Sequence, residues 1–229
     1  MGSEPVPSQS ITRQVLADHV YEAVLAALMD GRYEPGTGLS IDGLARDLAV
    51  SPTPVREALA RLEATGLVHR VALKGYRVAP LFTPDELAQL MAARIVMEPP
   101  NAAAACTRVT PQMIASLERA VTDLRTAPTG PSYAEYRDYW QADERFHRII
   151  AEGAGNRFLL TAYNSLGGQV QRFRFFSGLG VTDARFAIDE HTRVIDAFRV
   201  GDPEGARLAM LEHIRGVQRR SVQDALAHG

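Results

Sequence analysis

Three histidines and one aspartate fall at helix positions where the surrounding pattern calls for apolar residues. In the segment 132–153, Asp143 and His147 lie one helical turn apart within an apolar and aromatic stripe. His191 and His213 occupy equivalent positions in the stripes of two later segments. Imidazole and carboxylate groups are metal ligands, and an unpaired charge on a buried face is costly, so these side chains need a common explanation.

The spacing of the last two histidines predicts that they meet. The sequence VGDP separates their two helical segments, and His191 and His213 each lie 11 residues from Asp202. In an antiparallel helix pair, equal distances from the turn place two side chains at the same height. A third helix carrying Asp143 and His147 would complete a four-ligand cluster.

Three imidazoles and one carboxylate suit a divalent transition metal, with a coordination position left for water or a ligand oxygen. Zn²⁺ is the first expectation, and Ni²⁺, Mn²⁺ or Fe²⁺ would also fit. The alternative is a metal-free network of hydrogen bonds between the aspartate and the histidines. The remaining histidines show no such pattern and are predicted to have no ligand role; they are His19, His69 and His228.

The composition is that of a globular chain with one large or two modest domains. It has 229 residues, 46% hydrophobic and 23% charged, with a net charge of −2. No apolar run approaches the ~18 residues of a membrane span. Residues 1–10 are predicted to be a flexible arm without signal-peptide features, and the single cysteine, Cys106, excludes an intrachain disulfide. These features predict a cytoplasmic protein that does not associate with membranes.

The part of the chain after Pro80 is predicted to be all helical. A TPDE capping box beginning at Thr83 opens its first helix, which Pro99 and Pro100 are expected to kink or interrupt. We therefore predict a domain boundary near residue 80 and a helical bundle over 80–229. Its six segments are predicted at 84–106, 111–126, 132–153, 157–177, 183–200 and 203–226.

The residues before the boundary have a different order of elements. A helix is predicted over 12–31, followed by a short helix, a tight turn and a second helix that Ser51 and Pro52 open. A two-stranded hairpin then turns at Lys74-Gly75. This order predicts a winged helix-turn-helix over 1–79, so the fold class is mainly α with one small β hairpin.

The second helix of this unit and the hairpin tip carry groups that could contact DNA. A recognition helix places its N-terminal residues against base edges in the major groove, and cations and hydroxyls also bind phosphates. From Pro52 to Arg77, five basic residues against two acidic ones give a local net charge of +3. An ordinary solvated helical domain is the alternative on periodicity alone. The candidate DNA-contacting residues are Ser51, Thr53, Arg56, Lys74, Gly75 and Tyr76.

The segment LSIDGLARDLAVSPTPVREALARLEATGLV, followed by KGYRV, resembles the GntR family of bacterial transcription regulators. The resemblance covers residues 13–79 and implies a homodimer that binds a roughly palindromic operator in double-stranded DNA. Many family members carry an arginine directly after the VS pair, where this chain has Pro52. Arg56 matches the other arginine of the family motif, so the resemblance assigns it more of the sequence reading.

The segment 83–227 is similar to the all-helical FCD ligand-binding domain of the FadR-type GntR regulators. In metal-binding members of that group, the D-x-x-x-H pair and two late histidines are the ligands. The resemblance therefore assigns all four side chains of the cluster to a metal site inside an effector pocket. The matching residues are Arg94, Glu98, Asp143, His147, His191 and His213.

The effector predicted for this pocket is a small organic acid. Arg94 could bind its carboxylate, or could instead pair with Glu98 one turn along the helix. Asn164 is a second candidate for the pocket lining. The sequence thus predicts a ligand-responsive transcription regulator with no catalytic residues, and the family resemblance implies that it acts as a repressor. Two alternatives are a metal-dependent enzyme fused to a DNA-binding domain and a regulator that senses the metal alone.

Overall fold

The computed structural model describes residues 9–173 and 181–228, and the side chains of 14–167, 169–170 and 181–221. Segment 1–8 of the predicted arm, the end of the segment predicted at 157–177 and the side chain of His228 lie outside the described residues. The chain divides into two compact units, Met1–Leu81 and Phe82–Gly229.

The first unit is a helix-turn-helix followed by a wing. The Ser40 hydroxyl accepts a hydrogen bond from the Gly43 amide at the start of its second helix, and Ser51 precedes a proline at the start of its third. The turn between these two helices passes through Ala49, whose φ is 53°. The elements are α1 (Gln9–Met29), β1 (Gly38–Leu39), α2 (Ile41–Asp47), α3 (Pro52–Ala64), β2 (Val68–Val71) and β3 (Gly75–Val78).

The wing contains one more strand than the sequence predicted. Its strands are all antiparallel, in the order β1-β3-β2, and Leu39 of β1 lies opposite Tyr76 of β3. A strand of two residues is too short to show an alternating pattern, so β1 could not be recognised from sequence. Its pairing fixes β3 from both sides and thereby holds the hairpin against the helices.

The described part of the second unit is all helical, which confirms the predicted fold class. Its first helix begins at a capping box in which Thr83 and Glu86 bond to each other's backbone amides. None of the helices in the described ranges is both long and apolar enough to cross a bilayer. The helices are α4 (Pro84–Cys106), α5 (Pro111–Thr126), α6 (Tyr133–Gly153), α7 (Arg157–Phe173), α8 (Ala184–Arg199) and α9 (Pro203–His228).

Helix α4 continues through Pro99 and Pro100, which do not interrupt it. Each proline removes one intrahelical hydrogen bond, a cost that tertiary packing can offset. Pro99 is buried, and α4 packs against both α9 and α6.

Helices α8 and α9 form an antiparallel pair around the turn at Asp202. The core of the unit lies between α4, α6, α8 and α9 and includes Met91, Phe146, Phe198 and Met210.

Candidate metal centre and nucleic-acid interface

Three imidazoles meet in the interior of the second unit. His147 comes from α6, His191 from α8 and His213 from α9, and one ring nitrogen of each lies within 4.8 Å of the others. The two Nε2 atoms of His147 and His191 are 3.3 Å apart, and the ring centroids of His191 and His213 are 4.4 Å apart. The spacing around Asp202 therefore does place the last two histidines at one height.

Asp143 lies at the edge of this cluster. It is one turn before His147 on α6, and its Oδ1 is 3.7 Å from His191 Nε2. Both side chains are buried, with 6% and 0% of their surfaces exposed. The four residues that the sequence predicted as ligands are thus neighbours in a region shielded from water.

A buried glutamate orients His147. Glu98 Oε2 lies 2.8 Å from His147 Nδ1. An ionised carboxylate can only accept a hydrogen bond, so this contact favours a proton on Nδ1 and leaves the Nε2 lone pair facing His191. This is the tautomer that a metal ligand requires.

The protonation of the other two histidines also fits a metal. Burial, reinforced by the charge of His213, holds the pKa of His191 well below its usual value. Burial, reinforced by His147, does the same to the pKa of His213. Both rings are therefore neutral at neutral pH, and neutral imidazole is the form that binds a cation. Three imidazoles and a carboxylate form a donor set that fits a divalent transition metal.

These low pKa values predict that acid destabilises the metal-free protein. The unfolded chain has histidine pKa values near 6.5, so below that pH it binds more protons than the folded chain. The stabilisation is fully present above about pH 6.5 and is lost as the pH falls towards the lower folded values. We expect urea unfolding with a chelator present to show a lower free energy at pH 5.5 than at pH 7.5.

The control for this pH effect is the double substitution His191→Gln with His213→Gln, which removes both titrating groups. The double variant should lose less stability than the wild type over the same pH interval, whatever its absolute stability. An equal slope in the two proteins would contradict the assignment.

Arg94 and Glu98 form a buried ion pair on α4. Arg94 Nε donates to Glu98 Oε1 at 2.6 Å, and Nη2 donates to Oε2 at 3.3 Å. Burial alone would raise the pKa of Glu98, but the charge of Arg94 and the contact with His147 outweigh it and hold this pKa well below its usual range. The structure therefore contains the i,i+4 pair that the sequence offered as an alternative to effector binding.

A cavity of about 20 Å³ opens beside the cluster. Burial is the main cause that raises the pKa of Tyr163, so its phenol stays neutral in this lining. Asn164 departs from the prediction: it is exposed and absent from the lining, because adjacent side chains on a helix point about 100° apart. The lining includes Arg94, Met97, Trp140, Asp143, Glu144, His147, Tyr163 and Val170.

The sequence analysis did not identify Glu190, which contacts the third histidine. Its Oε2 lies 2.9 Å from His213 Nδ1, and only 7% of the residue is exposed. Ala187, Glu190 and Val194 form a second buried stripe on α8, beside the stripe that contains His191. The prediction from sequence included only one buried stripe on α8. Helices of globular proteins bury a wider face, and taking that wider face into account would have identified Glu190.

The candidate DNA-contacting residues lie in two places in the first unit. Ser51, Thr53 and Arg56 are exposed in the first turns of α3. Lys74 and Gly75 are exposed at the tip between β2 and β3, and Gly75 has a φ of 78°, which glycine adopts without strain.

Tyr76 is placed differently from the prediction. It is 8% exposed and belongs to the core of the unit, because alternate residues of a strand point to opposite faces. Its side chain therefore packs inside the unit, and Tyr76 is no longer a candidate DNA contact.

Both units match models of known protein families. Residues 16–78 match the family described as "Bacterial regulatory proteins, gntR family", and residues 89–216 match the FCD domain. The chain belongs to the GntR family and carries an FCD domain. The gntR unit implies DNA binding and the FCD domain implies a small-molecule effector, so the chain is a transcription regulator and not an enzyme.

Several relatives of this GntR-family chain have names that refer to operon control. It is 30% identical over 222 residues to the "Putative L-lactate dehydrogenase operon regulatory protein" of Escherichia coli (strain K12), covering 87% of this chain and 83% of that one. It is 28% identical over 209 residues to the "Probable D-xylose utilization operon transcriptional repressor" of Paenarthrobacter nicotinovorans, with 90% and 89% covered. The structure of E. coli McbR/YncC has the same fold, with a TM-score of 0.72, 22% identity and 92% and 98% covered.

Proposed function

We propose that this regulator holds a divalent metal ion, first of all Zn²⁺, in its helical unit. His147, His191 and His213 would be ligands through their Nε2 atoms, with Asp143 as the fourth. The observation that carries this proposal is the convergence of three buried imidazoles from three helices, two of them with their Nδ1 atoms against carboxylates. When bound, the ion would act as a Lewis acid that attracts anionic oxygen.

The effector that suits this site is a small organic acid. Besides His147, the lining carries three carboxylates, Glu98, Asp143 and Glu144, against the single cation of Arg94. Without a metal the cavity therefore repels anions. The two positive charges of a bound divalent ion would offset this repulsion. The apolar side chains of Met97 and Val170 would select the rest of the molecule by shape.

Isothermal calorimetry with short carboxylic acids and their matched neutral amides tests this proposal. We expect the acids to bind the zinc-loaded protein, the amides to bind at least about tenfold more weakly, and chelation to abolish acid binding. Equal affinity for an acid and its amide, or acid binding that survives metal removal, would refute the metal-anchored carboxylate.

The regulator would act in the bacterial cytoplasm as a homodimer on a palindromic operator, and as a repressor whose effector releases DNA. Two recognition helices α3 would enter successive major grooves, a geometry that requires a two-fold assembly. Coupling between the effector site and DNA would be worth about 1–3 kcal/mol, which suffices to release an operator. Repressor function is supported by the name of the D-xylose operon relative.

Arg56→Ala is expected to weaken binding to a selected operator duplex by about 1–3 kcal/mol, because an arginine contact to a base edge is lost. Lys74→Ala should weaken binding to operator and random duplexes alike, because the wing-tip cation contacts phosphate. Gel-shift titrations against both duplexes measure the difference. Arg119→Ala, at an exposed position of α5 in the other unit, is the control that should bind like the wild type. Unchanged operator affinity in the Arg56 variant would remove this residue from the readout.

A regulator that senses the metal alone is the second candidate function. It is favoured by the size of the cavity, since about 20 Å³ is room for only one or two water molecules. Release of the operator by metal in the absence of any acid would support it. Release that requires both metal and acid would support the effector proposal.

A further inference from the structure

We infer that Asp183, Arg220 and Glu190 form a positioning chain that presents His213 to the histidine cluster. The inference rests on the proposed metal site, because its consequence is the orientation of one of the ligands. None of these three residues belongs to the donor set itself. Glu190 contacts Nδ1 of His213, Arg220 contacts Glu190, and Asp183 contacts Arg220.

The chain is continuous in hydrogen bonds. Glu190 Oε2 is 2.9 Å from His213 Nδ1, and the same carboxylate accepts from Arg220 Nη1 at 2.8 Å and from Nη2 at 3.0 Å. Arg220 Nε donates to Asp183 Oδ2 at 2.8 Å. The guanidinium group thus uses one edge for a bidentate contact and its Nε for a second acid, which holds it in one plane.

The helix pair α8 and α9 brings these residues together. On α9, His213, Gly216 and Arg220 follow one another at intervals of three and four, so they share a face. Asp183 is the residue directly before α8, and Glu190 lies seven residues later, again on one face. Because the helices are antiparallel, the contact between Glu190 and His213 lies nearer the Asp202 turn than the contact between Asp183 and Arg220.

Gly216 supplies the space that the chain occupies. A Cβ atom at this position would collide with the Glu190 carboxylate and would lie 2.8 Å from Arg220 Nη1. The backbone here is ordinary helix, where glycine costs about 1 kcal/mol relative to alanine. The ion pair between Glu190 and Arg220 occupies the space of a side chain at position 216, which explains why this residue is glycine.

The result is a defined tautomer of His213. Glu190 is paired with Arg220, and a carboxylate in such a pair only accepts hydrogen bonds, so its contact with His213 places the proton of that ring on Nδ1. Nε2 is then the nitrogen of His213 whose lone pair is available to a metal. Glu98, paired with Arg94, likewise has an oxygen 2.8 Å from Nδ1 of His147, so a guanidinium–carboxylate pair lies against each of two of the three rings.

Nitrogen NMR of the histidine side chains and zinc affinity together test this inference on the full-length protein. In chelator-treated wild type, we expect His213 to be protonated at Nδ1 and not at Nε2. Glu190→Leu, which removes the acceptor but fills its space, should populate the other tautomer and weaken zinc binding by about 10–100-fold. Arg220→Gln and Gly216→Ala should shift both readouts in the same direction, by less.

Arg207→Gln is the matched control, because Arg207 is also on α9 and also paired with a glutamate, Glu204, but its side chain is partly exposed and this ion pair does not involve the cluster. It should leave both readouts unchanged. If Glu190→Leu does not fold, Arg220→Gln and Gly216→Ala carry the test. The inference is overturned if wild-type His213 is protonated at Nε2, or if all three variants keep the wild-type tautomer. A wild type that binds no zinc would instead refute the proposed metal, and the tautomer of the metal-free protein would still decide this inference.

Discussion

Replacing Arg94 with methionine is expected to lower the free energy of unfolding by about 3–5 kcal/mol, because it leaves the Glu98 carboxylate buried without its cation. The two side chains are only 4% and 7% exposed, so water cannot take over the role of the guanidinium. Urea unfolding at neutral pH, with a chelator and without any effector, measures the change. A loss of stability under these conditions identifies Arg94 as part of the scaffold that holds Glu98 and, through it, His147.

The double substitution Arg94→Met with Glu98→Leu separates the ion pair from the packing. Removing both charges often costs little, so the double variant should be more stable than Arg94→Met alone. Arg207→Met, in an exposed pair with Glu204, should leave stability almost unchanged. If Arg94→Met changes the free energy of unfolding by less than about 1 kcal/mol, Glu98 does not depend on this arginine. Arg94 would then again be a candidate for binding the effector.

His191→Ala is expected to lower the affinity for Zn²⁺ by more than about 100-fold, since loss of a second-shell partner alone costs about 10–100-fold. At free zinc of 100 times the wild-type dissociation constant, zinc should stabilise the wild type by about 2.7 kcal/mol and a variant with 100-fold weaker affinity by only about 0.4 kcal/mol. Chelator competition gives the affinities, and unfolding with and without zinc gives the stabilisation.

His19→Ala is the control for the zinc experiment, because His19 is exposed on α1 in the other unit. It should retain the full zinc response. Equal zinc stabilisation of wild type and His191→Ala, or absence of zinc uptake by the wild type, would leave the metal-free hydrogen-bond network as the explanation of the cluster.

The sequence predicted the positions of the cluster residues because helical periodicity determines which face is buried. Polar residues at apolar positions stand out against such a pattern, and equal spacing from the Asp202 turn brought two of them to one height. Residues whose role depends on their neighbours in space were harder to predict. Glu190 lies beside a recognised stripe, and its role appears only when α9 supplies Arg220.

Tyr76 and Asn164 both point in a different direction from the one predicted, and the two differences have the same cause. Tyr76 follows Gly75 on a strand and turns to the opposite face, and Asn164 follows Tyr163 on a helix and turns away from the cavity. A motif identifies a segment reliably, but the direction of each side chain depends on where the element rests on its neighbours. Packing also explains why Pro99 and Pro100 could lie inside a continuous helix.

The exposed tip between β2 and β3 makes the regulator unusually simple to label. Lys74 is the only lysine among 229 residues, so an amine-reactive reagent has one side-chain target, and that target lies on the candidate DNA-contacting surface. A dye or an isotopic methyl group placed there would report occupancy of the wing without any substitution. By the same reasoning, acylation of this one amine would neutralise the cation of the wing tip and leave the histidine cluster chemically untouched.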